Sequence, residues 1–341
     1  MERILRAVGC DADIASTVAD VFLHADLRGQ SHQGLHHLSN RMVPTLQNRK
    51  IAPNARPRLV KEGPAFAVFD GGRGPGQLVG VAAVDRAVAK AKEAGAAVVG
   101  VVNSNDIYCL GYYAERIVRA GCIGIVVTDA SARSHPYGGN ERMVGTNPMA
   151  IGIPTPEDPP FVLDFATSAW TGGLIQTAAE LGEPLPHGIA VDPEGRPTTD
   201  AAKAWVGAVA PFGGAKGYGL ALMIAMLSGP LVGAETGKNL AGWRGGGTSA
   251  GKVGNKGHLF LAIDPGAFGD AARFRSAAGA YHRAIRQSRR APGIDTIQIA
   301  GEPEFIKRAS SQSAGAVPVL EETLEFARQL ATQLGIAPLE D

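Results

Sequence analysis

Three histidines lie close together near the N-terminus, in the segment SHQGLHHL at residues 31–38. His32 and His36 are four residues apart, a spacing that would put both imidazoles on one face of a helix, as zinc ligands can be. A third ligand is not evident nearby, and neither the glutamate of an H-E-x-x-H motif nor a cysteine pair accompanies them. The sequence therefore predicts no metal site and favours polar groups at the mouth of a site, or histidines on a helix surface.

A second group of polar side chains follows a β-branched run that predicts a buried strand over residues 96–102. Asp106 could act as an acid or a base if burial raises its pKa. The same carboxyl could instead cap the helix that is predicted to begin near Leu110. Tyr108 is a further candidate for proton transfer. The sequence leaves both interpretations of Asp106 open.

Two glycine-rich segments resemble nucleotide-binding motifs but lack their defining residues. Gly72 and Gly74 are followed by Gln77, so the G-x-G-x-x-G fingerprint of a Rossmann site is missing. The segment GGTSAGK at residues 246–252 is followed by Val253, which has no hydroxyl to offer a magnesium ion. We therefore predict no standard Rossmann site and interpret residues 242–257 as a glycine-rich surface loop.

Composition and charge exclude several classes of function. The 341 residues include 33 Lys and Arg against 32 Asp and Glu, a formal net charge of +1, which disfavours a nucleic-acid partner. Three unpatterned cysteines suit a reducing compartment, so we predict a cytoplasmic protein. The uncharged run over residues 217–234 contains four glycines and a proline, and predicts a buried core helix rather than a membrane span.

The hydrophobic periodicity predicts a mixed α/β fold. Helices are expected over residues 2–25, 79–94, 110–120, 174–181, 217–234, 271–288 and 320–334, and strands over 96–102, 122–128, 149–154, 160–163 and 258–263. Both chain ends are therefore helical. We predict that residues 1–64 and 301–341 form helical segments around a sheet-bearing region at 65–300.

Several motifs occur in an order that resembles one family over nearly the whole chain. They are ADLRG (25–29) followed by SHQG, NSN (103–105), PYGGNERMVGTNPMAI (136–151), DFATS (164–168), PFGGAKGYGLALM (211–223), HLFLAIDP (258–265) and GEPE (301–304). This order is similar to that of the malate/L-lactate dehydrogenase-like oxidoreductases. The resemblance implies a non-Rossmann NAD(P)-binding fold with a largely antiparallel mixed sheet surrounded by helices, assembled as a homodimer.

The same resemblance implies a set of residues that bind the cofactor, NAD or NADP. Glycine turns around residue 214 would let backbone amides approach a phosphate, and Lys216 would supply a positive charge. By similarity the cofactor contacts are Asp164, Phe165, Ala166, Thr167, Ser168, Lys216, Gly217, Gly301, Glu302 and Pro303.

The catalytic segment departs from the family pattern. Members typically read DLRG-x-x-SHG, whereas this chain reads DLRG-Q-SHQG. Aligned without a gap, Gln33 takes the histidine position; aligned on the Ser-His pair, His32 is kept but is rotated by about 100° on a helix. A second family histidine, in NSNH, is Asp106 here, and the arginine expected after SHG falls at His37.

We therefore assign catalysis to His32, Gln33 and Asp106, and substrate binding to His36, His37, Arg41 and Tyr108. The predicted function is an NAD(P)-dependent oxidoreductase that interconverts a small 2-hydroxy, or amino or imino, acid and its 2-oxo or cyclic imine form. One alternative is a non-redox lyase, hydratase or addition enzyme that uses Asp106 with the three histidines. Another is a homologue without turnover.

Overall fold

The computed structural model describes residues 1–240 and 254–337, in which helices and strands are mixed along the chain. The α-helices are α1 (Glu2–Ala7), α2 (Ala12–Leu27), α3 (Leu35–His37), α4 (Val43–Gln47), α5 (Gly76–Ala94), α6 (Leu110–Arg119), α7 (Gly172–Leu181), α8 (Ala201–Val206), α9 (Ala215–Ser228), α10 (Ala271–Arg286), α11 (Glu302–Ala314) and α12 (Glu321–Gln333). The strands are β1 (Arg58–Gly63), β2 (Phe66–Asp70), β3 (Ala96–Ser104), β4 (Ile123–Thr128), β5 (Met149–Ile153), β6 (Phe161–Phe165), β7 (Ala190–Val191), β8 (Pro197–Thr198), β9 (Ala208–Val209) and β10 (Lys256–Ile263).

Within the described residues the main sheet has seven strands in the order β1-β2-β3-β10-β4-β5-β6. Only the β2–β3 pair is parallel; the other neighbours are antiparallel. The late strand β10 lies between β3 and β4, so its first residues meet the last residues of both. Strands β7, β8 and β9 form a separate small sheet. The predicted α/β class with a largely antiparallel mixed sheet is confirmed.

The main core lies between this sheet and helices α5 and α6. Alanines at positions 83, 87 and 91 line the buried side of α5 and allow close approach to valines of β3. A second core joins the two ends of the chain, because α1, α2 and residues 35–51 pack with Ala327 and Leu330 of α12. The first strand begins at Arg58, seven residues before the predicted start of the sheet-bearing region.

The predicted continuous helix over residues 2–25 is wrong, because the structure divides it into α1 and α2. Gly9 has a φ of +97°, a left-handed conformation that ends α1. Asp11 is extended and precedes α2, and its backbone amide donates a hydrogen bond to Asn54 Oδ1 at 2.8 Å.

The prediction of a buried helix at 217–234 is also only partly correct. Helix α9 ends at Ser228 because Gly229 and Pro230 follow, and a short 3₁₀ turn continues the segment. The window Ala215–Val232 has a mean hydropathy of 1.4, so by length and composition alone it could cross a membrane. Only 33% of this window is buried in the protomer, in contrast to the predicted core helix. The helix therefore presents an apolar face to its surroundings. The glycine-rich motif predicted as a surface loop, GGTSAGK, lies outside the described residues.

Candidate active site

A cavity of about 600 Å³ opens where the ends of β3, β4 and β6 and the start of β10 meet the turn after α2. Most of the residues predicted for catalysis or substrate binding line it, namely His32, Gln33, His37, Arg41, Asp106 and Tyr108. Three predicted cofactor residues, Asp164, Phe165 and Ala166, line the same cavity. The structure thus brings together segments that are more than 200 residues apart in the sequence.

The SHQG segment forms a 3₁₀ turn over Ser31–Gln33 rather than part of one long helix. Gly34 breaks the helical path, so the predicted shared face of His32 and His36 is wrong. Asp26, which is 2% exposed, fixes the turn by accepting a hydrogen bond from the Leu35 amide at 2.8 Å. As a result both His32 and Gln33 reach the cavity wall.

The histidines of this segment are neutral near pH 7. Burial, assisted by the positive charge of Arg41, lowers the pKa of His32 to about 4. Burial also holds the pKa of His37 well below its usual value, and its ring packs edge-on against Tyr108 with centroids 5.5 Å apart. In the described part of the chain, no group of three or more His, Cys, Asp or Glu side chains is placed to hold a metal ion.

The structure does not bring His36 to the cavity, in contrast to its predicted role in substrate binding. Its ring nitrogen Nε2 lies 2.7 Å from Asn40 Nδ2, and Nδ1 lies 3.4 Å from the Thr323 hydroxyl on α12. His36 therefore helps to join the N-terminal segment to the C-terminal helix.

Asp106 forms an ion pair with Lys256, the first residue of β10. Burial by the cavity walls pushes the pKa of Asp106 up, but the charges of Lys256 and then Arg41 outweigh that effect and hold the pKa below its usual value. Asp106 is thus a carboxylate at neutral pH, and the expectation that burial raises its pKa is wrong. The capping interpretation is also wrong, because Cys109 precedes α6 and Asp164 Oδ2 accepts the hydrogen bond of the Gly111 amide at 2.7 Å.

A fully buried histidine holds the three central strand ends together. His258 Nδ1 lies 2.6 Å from the Thr128 hydroxyl at the end of β4. Its Nε2 lies 2.9 Å from the Ser104 hydroxyl and 3.0 Å from the Asn105 carbonyl oxygen, at the end of β3. Burial lowers the pKa of His258 to about 3, so the ring stays neutral. These contacts fix the backbone that carries Asp106.

Lys256 and Asp129 are charged residues of the cavity that the sequence analysis did not assign. Asp129 follows β4 and is 1% exposed; in the described residues its Oδ1 has no hydrogen-bond partner, while Oδ2 accepts from the Gly237 amide at 3.3 Å. Burial raises the pKa of Asp129 to about 6, although the Gly237 amide and Lys256 partly offset it. The sequence did offer one indication that both residues belong to the site, because each lies next to the end of a predicted strand.

Two arginines add positive charge to the cavity wall. The Arg133 guanidinium stacks over the Trp205 ring, 4.1 Å from its centroid. Arg142 donates hydrogen bonds to the backbone carbonyls of Trp205 and Gly207, which ties the loop after α8 to the cavity. With Arg41 and Lys256, the cavity combines several cations with the carboxylate of Asp106.

A second cavity of about 430 Å³ adjoins the first, and Gln30 and Asp164 line both. Gly301 and Pro303, two of the predicted cofactor residues, line this second cavity. Gly301 has a φ of +83°, and a Cβ there would lie 2.0 Å from the Val162 carbonyl oxygen, so only glycine fits. The two cavities together form an elongated site.

Five predicted cofactor residues do not line either cavity in the protomer: Thr167, Ser168, Lys216, Gly217 and Glu302. The Thr167 and Ser168 hydroxyls donate to backbone carbonyls, including that of Trp170 at 2.7 Å. The Glu302 carboxylate accepts from the Ile299 amide at 2.9 Å. Lys216 is exposed on the first turn of α9.

Residues 1–326 match the model of the family described as malate/L-lactate dehydrogenase. The chain belongs to the malate/L-lactate dehydrogenase family. It is 39% identical to an L-sulfolactate dehydrogenase of Methanocaldococcus jannaschii over 88% of this chain and 85% of that protein. It is 35% identical to a Δ1-pyrroline-2-carboxylate/Δ1-piperideine-2-carboxylate reductase of Pseudomonas aeruginosa, over 77% and 78% of the two chains.

The structural similarity to this family extends over the full chain. A malate dehydrogenase from Entamoeba histolytica superposes with a TM-score of 0.94 at 29% identity, covering 100% of this chain and 96% of that one. The predicted family and the prediction of an oxidoreductase are confirmed, and membership implies a nicotinamide cofactor. The lyase alternative finds no support among these relatives.

Proposed function

We propose that this member of the malate/L-lactate dehydrogenase family reduces a small 2-oxo acid, or a cyclic imino acid, with a nicotinamide cofactor, and catalyses the reverse oxidation. The observation that carries the proposal is the shared cavity, in which the Asp164–Ala166 segment faces Arg41, Asp106 and Lys256. Bound cofactor would supply or accept the hydride. The protein supplies charge, orientation and a proton.

The residues present fit a nicotinamide cofactor that extends through both cavities. An elongated ligand would pass Gln30 and Asp164, which line both. The unpartnered Oδ1 of Asp129 offers an acceptor at one end of this path. At the other end, Gly301 and Pro303 line the second cavity. These features support placing the nicotinamide in the first cavity and the adenosine in the second.

The adenosine end favours NAD over NADP. Asp164 and Glu304 line the second cavity, and Arg28 is the cation that lines it. Arg28 is 1% exposed, pairs with Glu115 at 3.3 Å and stacks on Phe305. A 2′-phosphate would meet carboxylates with no available cation among these lining residues, whereas a 2′-hydroxyl can donate to them.

The substrate end favours an anionic molecule. Arg41 is suited to bind a carboxylate through two parallel hydrogen bonds, and Arg133 and Arg142 add further positive charge. The relatives named above act on sulfolactate, malate and cyclic imino acids. We infer that the substrate of this chain is a 2-oxo acid that carries a second anionic group.

We also propose that the enzyme is a homodimer in which a second copy covers α9. Met223 is 52% exposed, and Met226, Leu227 and Leu231 continue the apolar face along the same segment. Gly229 and Pro230 interrupt this segment, which suits a protein interface better than a lipid environment. The buried free cysteines agree with a reducing, cytoplasmic location, which remains part of the proposal.

The test is a fluorescence titration with NADH and NADPH, followed by a reduction assay with oxaloacetate, sulfopyruvate, pyruvate and Δ1-piperideine-2-carboxylate. We expect micromolar NADH binding, weaker NADPH binding, and oxidation of NADH with at least one dianionic 2-oxo acid. A folded protein that binds neither reduced cofactor would contradict the proposed function.

A further inference from the structure

The ammonium group of Lys256 lies in the wall of the cavity between two carboxyl groups. Lys256 is 7% exposed and forms an ion pair with Asp106, which follows β3. Its charge also acts on Asp129, which follows β4. In the described part of the chain, the charged or titratable neighbours of this pair also include Arg41, Tyr108 and the neutral His258.

The ammonium retains hydrogen atoms for a ligand. A lysine ammonium has three donors. In the described part of the chain, Asp106 Oδ1 is the hydrogen-bond acceptor that Nζ reaches. The remaining donors are next to a cavity wide enough for a small acid. Strand β10 does not depend on this pair for its position, because its ladders with β3 and β4 continue to Ile263.

The residues predicted for proton transfer are less suited to give a proton to a reacting oxygen. The pKa of Asp106 is held low by Lys256 and Arg41, so it is already ionised. Burial lowers the pKa of His32 to about 4, which leaves its ring neutral. Burial raises the pKa of Tyr108 and makes it a weaker acid. Gln33 has no proton to release.

We propose that Lys256 is the catalytic proton donor in reduction, and that Asp106 is a positioning residue that holds the ammonium towards the substrate. This inference rests on the proposed reductase function. Bound reduced nicotinamide would supply a hydride to the carbonyl carbon, and the carbonyl π pair would move to the oxygen. That oxygen takes a proton from Nζ and becomes the hydroxyl. The neutral amine then regains a proton from water, so reduced cofactor, 2-oxo acid and one proton yield oxidised cofactor and 2-hydroxy acid.

Asp106 stands at the position where the family pattern NSNH has a histidine. A histidine can hold and release a proton within one side chain. In this chain the carboxylate of Asp106 and the amine of Lys256 divide positioning and proton transfer between two residues that are 150 positions apart. This explains how the redox activity can coexist with Asp106 in the NSND segment.

The experiment compares Lys256→Ala and Lys256→Arg with the wild type, using Lys61→Ala on β1 as a control for loss of an exposed lysine. Both Lys256 variants should lose about 10²- to 10⁴-fold in kcat for reduction. NADH affinity, measured by fluorescence, should stay within about threefold, and the melting temperature should fall by only a few degrees. Lys256→Arg keeps the positive charge but cannot release a proton, so it separates proton donation from charge alone.

Chemical rescue supplies a readout that a structural role would not move. Added ethylamine should raise the activity of Lys256→Ala at least tenfold. In a series of amines, the pH at which rescue is half-maximal should follow the pKa of the added amine. Asp106→Asn should lower kcat less than Lys256→Ala, and the double variant should lose little more than Lys256→Ala alone.

Two results would overturn the assignment while leaving the proposed function intact. One is a Lys256→Arg variant whose kcat lies within tenfold of that of an active wild type. The other is a folded, NADH-binding Lys256→Ala that no amine activates. A wild type that binds NADH but reduces none of the acids tested would instead overturn the proposed function, and the role of Lys256 with it.

Discussion

Asp106 and Asp129 illustrate how neighbouring carboxyl groups at one cavity acquire opposite properties. The surrounding protein acts to raise the pKa of both, although the Asp106 side chain is 54% exposed and Asp129 is 1% exposed. Asp106 has Lys256 in direct contact and Arg41 nearby, so its pKa ends below the usual value. At Asp129 the Gly237 amide and the charge of Lys256 offset the effect of burial only in part, so its pKa rises to about 6. Such divergence is typical of sites that handle protons.

The Asp129→Asn variant should be more stable than the wild type above pH 6. Because the folded-state pKa of Asp129 is raised from 3.8 to about 6, ionisation penalises the folded state; the penalty is absent below pH 3.8 and complete above pH 6. The gain should reach up to about 3 kcal/mol at pH 8 and shrink towards pH 4. Urea unfolding at the two pH values measures it, with the exposed Asp295→Asn as control. A gain that does not depend on pH would contradict this explanation.

Glu304 should govern the choice of cofactor. It lines the second cavity close to the proposed position of the adenosine ribose. Glu304→Arg replaces an acceptor for a 2′-hydroxyl with a cation for a 2′-phosphate, so we expect the ratio of NADPH to NADH affinity to rise by at least tenfold. Fluorescence titration of both cofactors checks this. Glu302→Arg is the matched control, since the Glu302 carboxylate is bonded to the Ile299 amide instead. Equal ratios in the two variants would contradict the placement.

At the scale of elements, the site depends on strand ends and on one tightly held turn. Asp26 on α2 binds the Leu35 amide, and this contact sets which way the Ser31–Gln33 turn faces. A Cβ on Gly34 would lie 1.8 Å from Asp26 Oδ1, so glycine is required by space rather than by its φ of −102°. The direction of His32 and Gln33 is therefore fixed from outside their own segment.

Gly34→Ala should destabilise the protein by about 2 kcal/mol or more and abolish turnover, because it displaces the Asp26 carboxylate from the Leu35 amide. Asp26→Ala removes the clashing oxygen, so the double variant should lose less than the sum of the two single variants. Thermal and urea unfolding of the four proteins give the coupling energy. Simple additivity would show that the contact between Gly34 and Asp26 is not the cause.

The sequence predicted elements well where apolar residues repeat regularly, as in α5, β3, α6 and β4. It missed β1, whose residues are almost all exposed, and the break at Gly9. It grouped His32, Gln33, Asp106 and Arg41 correctly near one site, since family motifs place them together. It could not find the Asp106–Lys256 pair, because the contact depends on β10 lying between β3 and β4, and strand order is not encoded in local periodicity.

At the scale of the whole molecule, the exposed apolar face of α9 is the feature that supports the proposed homodimer. Met223 and Leu227 are one helical turn apart and lie on the same face, where they are 52% and 41% exposed. Leu231 continues this face on the following turn with 63% exposure. Covering such a face with a second copy removes apolar surface from water.

The double variant Met223→Glu/Leu227→Glu should shift the protein from dimer to monomer, because charged side chains would be buried without partners in the interface. Sedimentation velocity at micromolar concentration measures the change. Phe268→Glu serves as control, since Phe268 is 81% exposed and lies elsewhere on the surface. A wild type that sediments as a monomer would contradict the proposed dimer.

The bonds of His258 have a consequence for enzyme kinetics. Its pKa of about 3, which burial lowers, keeps the imidazole neutral throughout the range in which assays are run. The link that His258 makes between the ends of β3 and β4 therefore keeps its charge state between about pH 5 and pH 9. Within this interval a pH-dependent rate reports groups other than His258, among them Asp129, whose pKa is about 6.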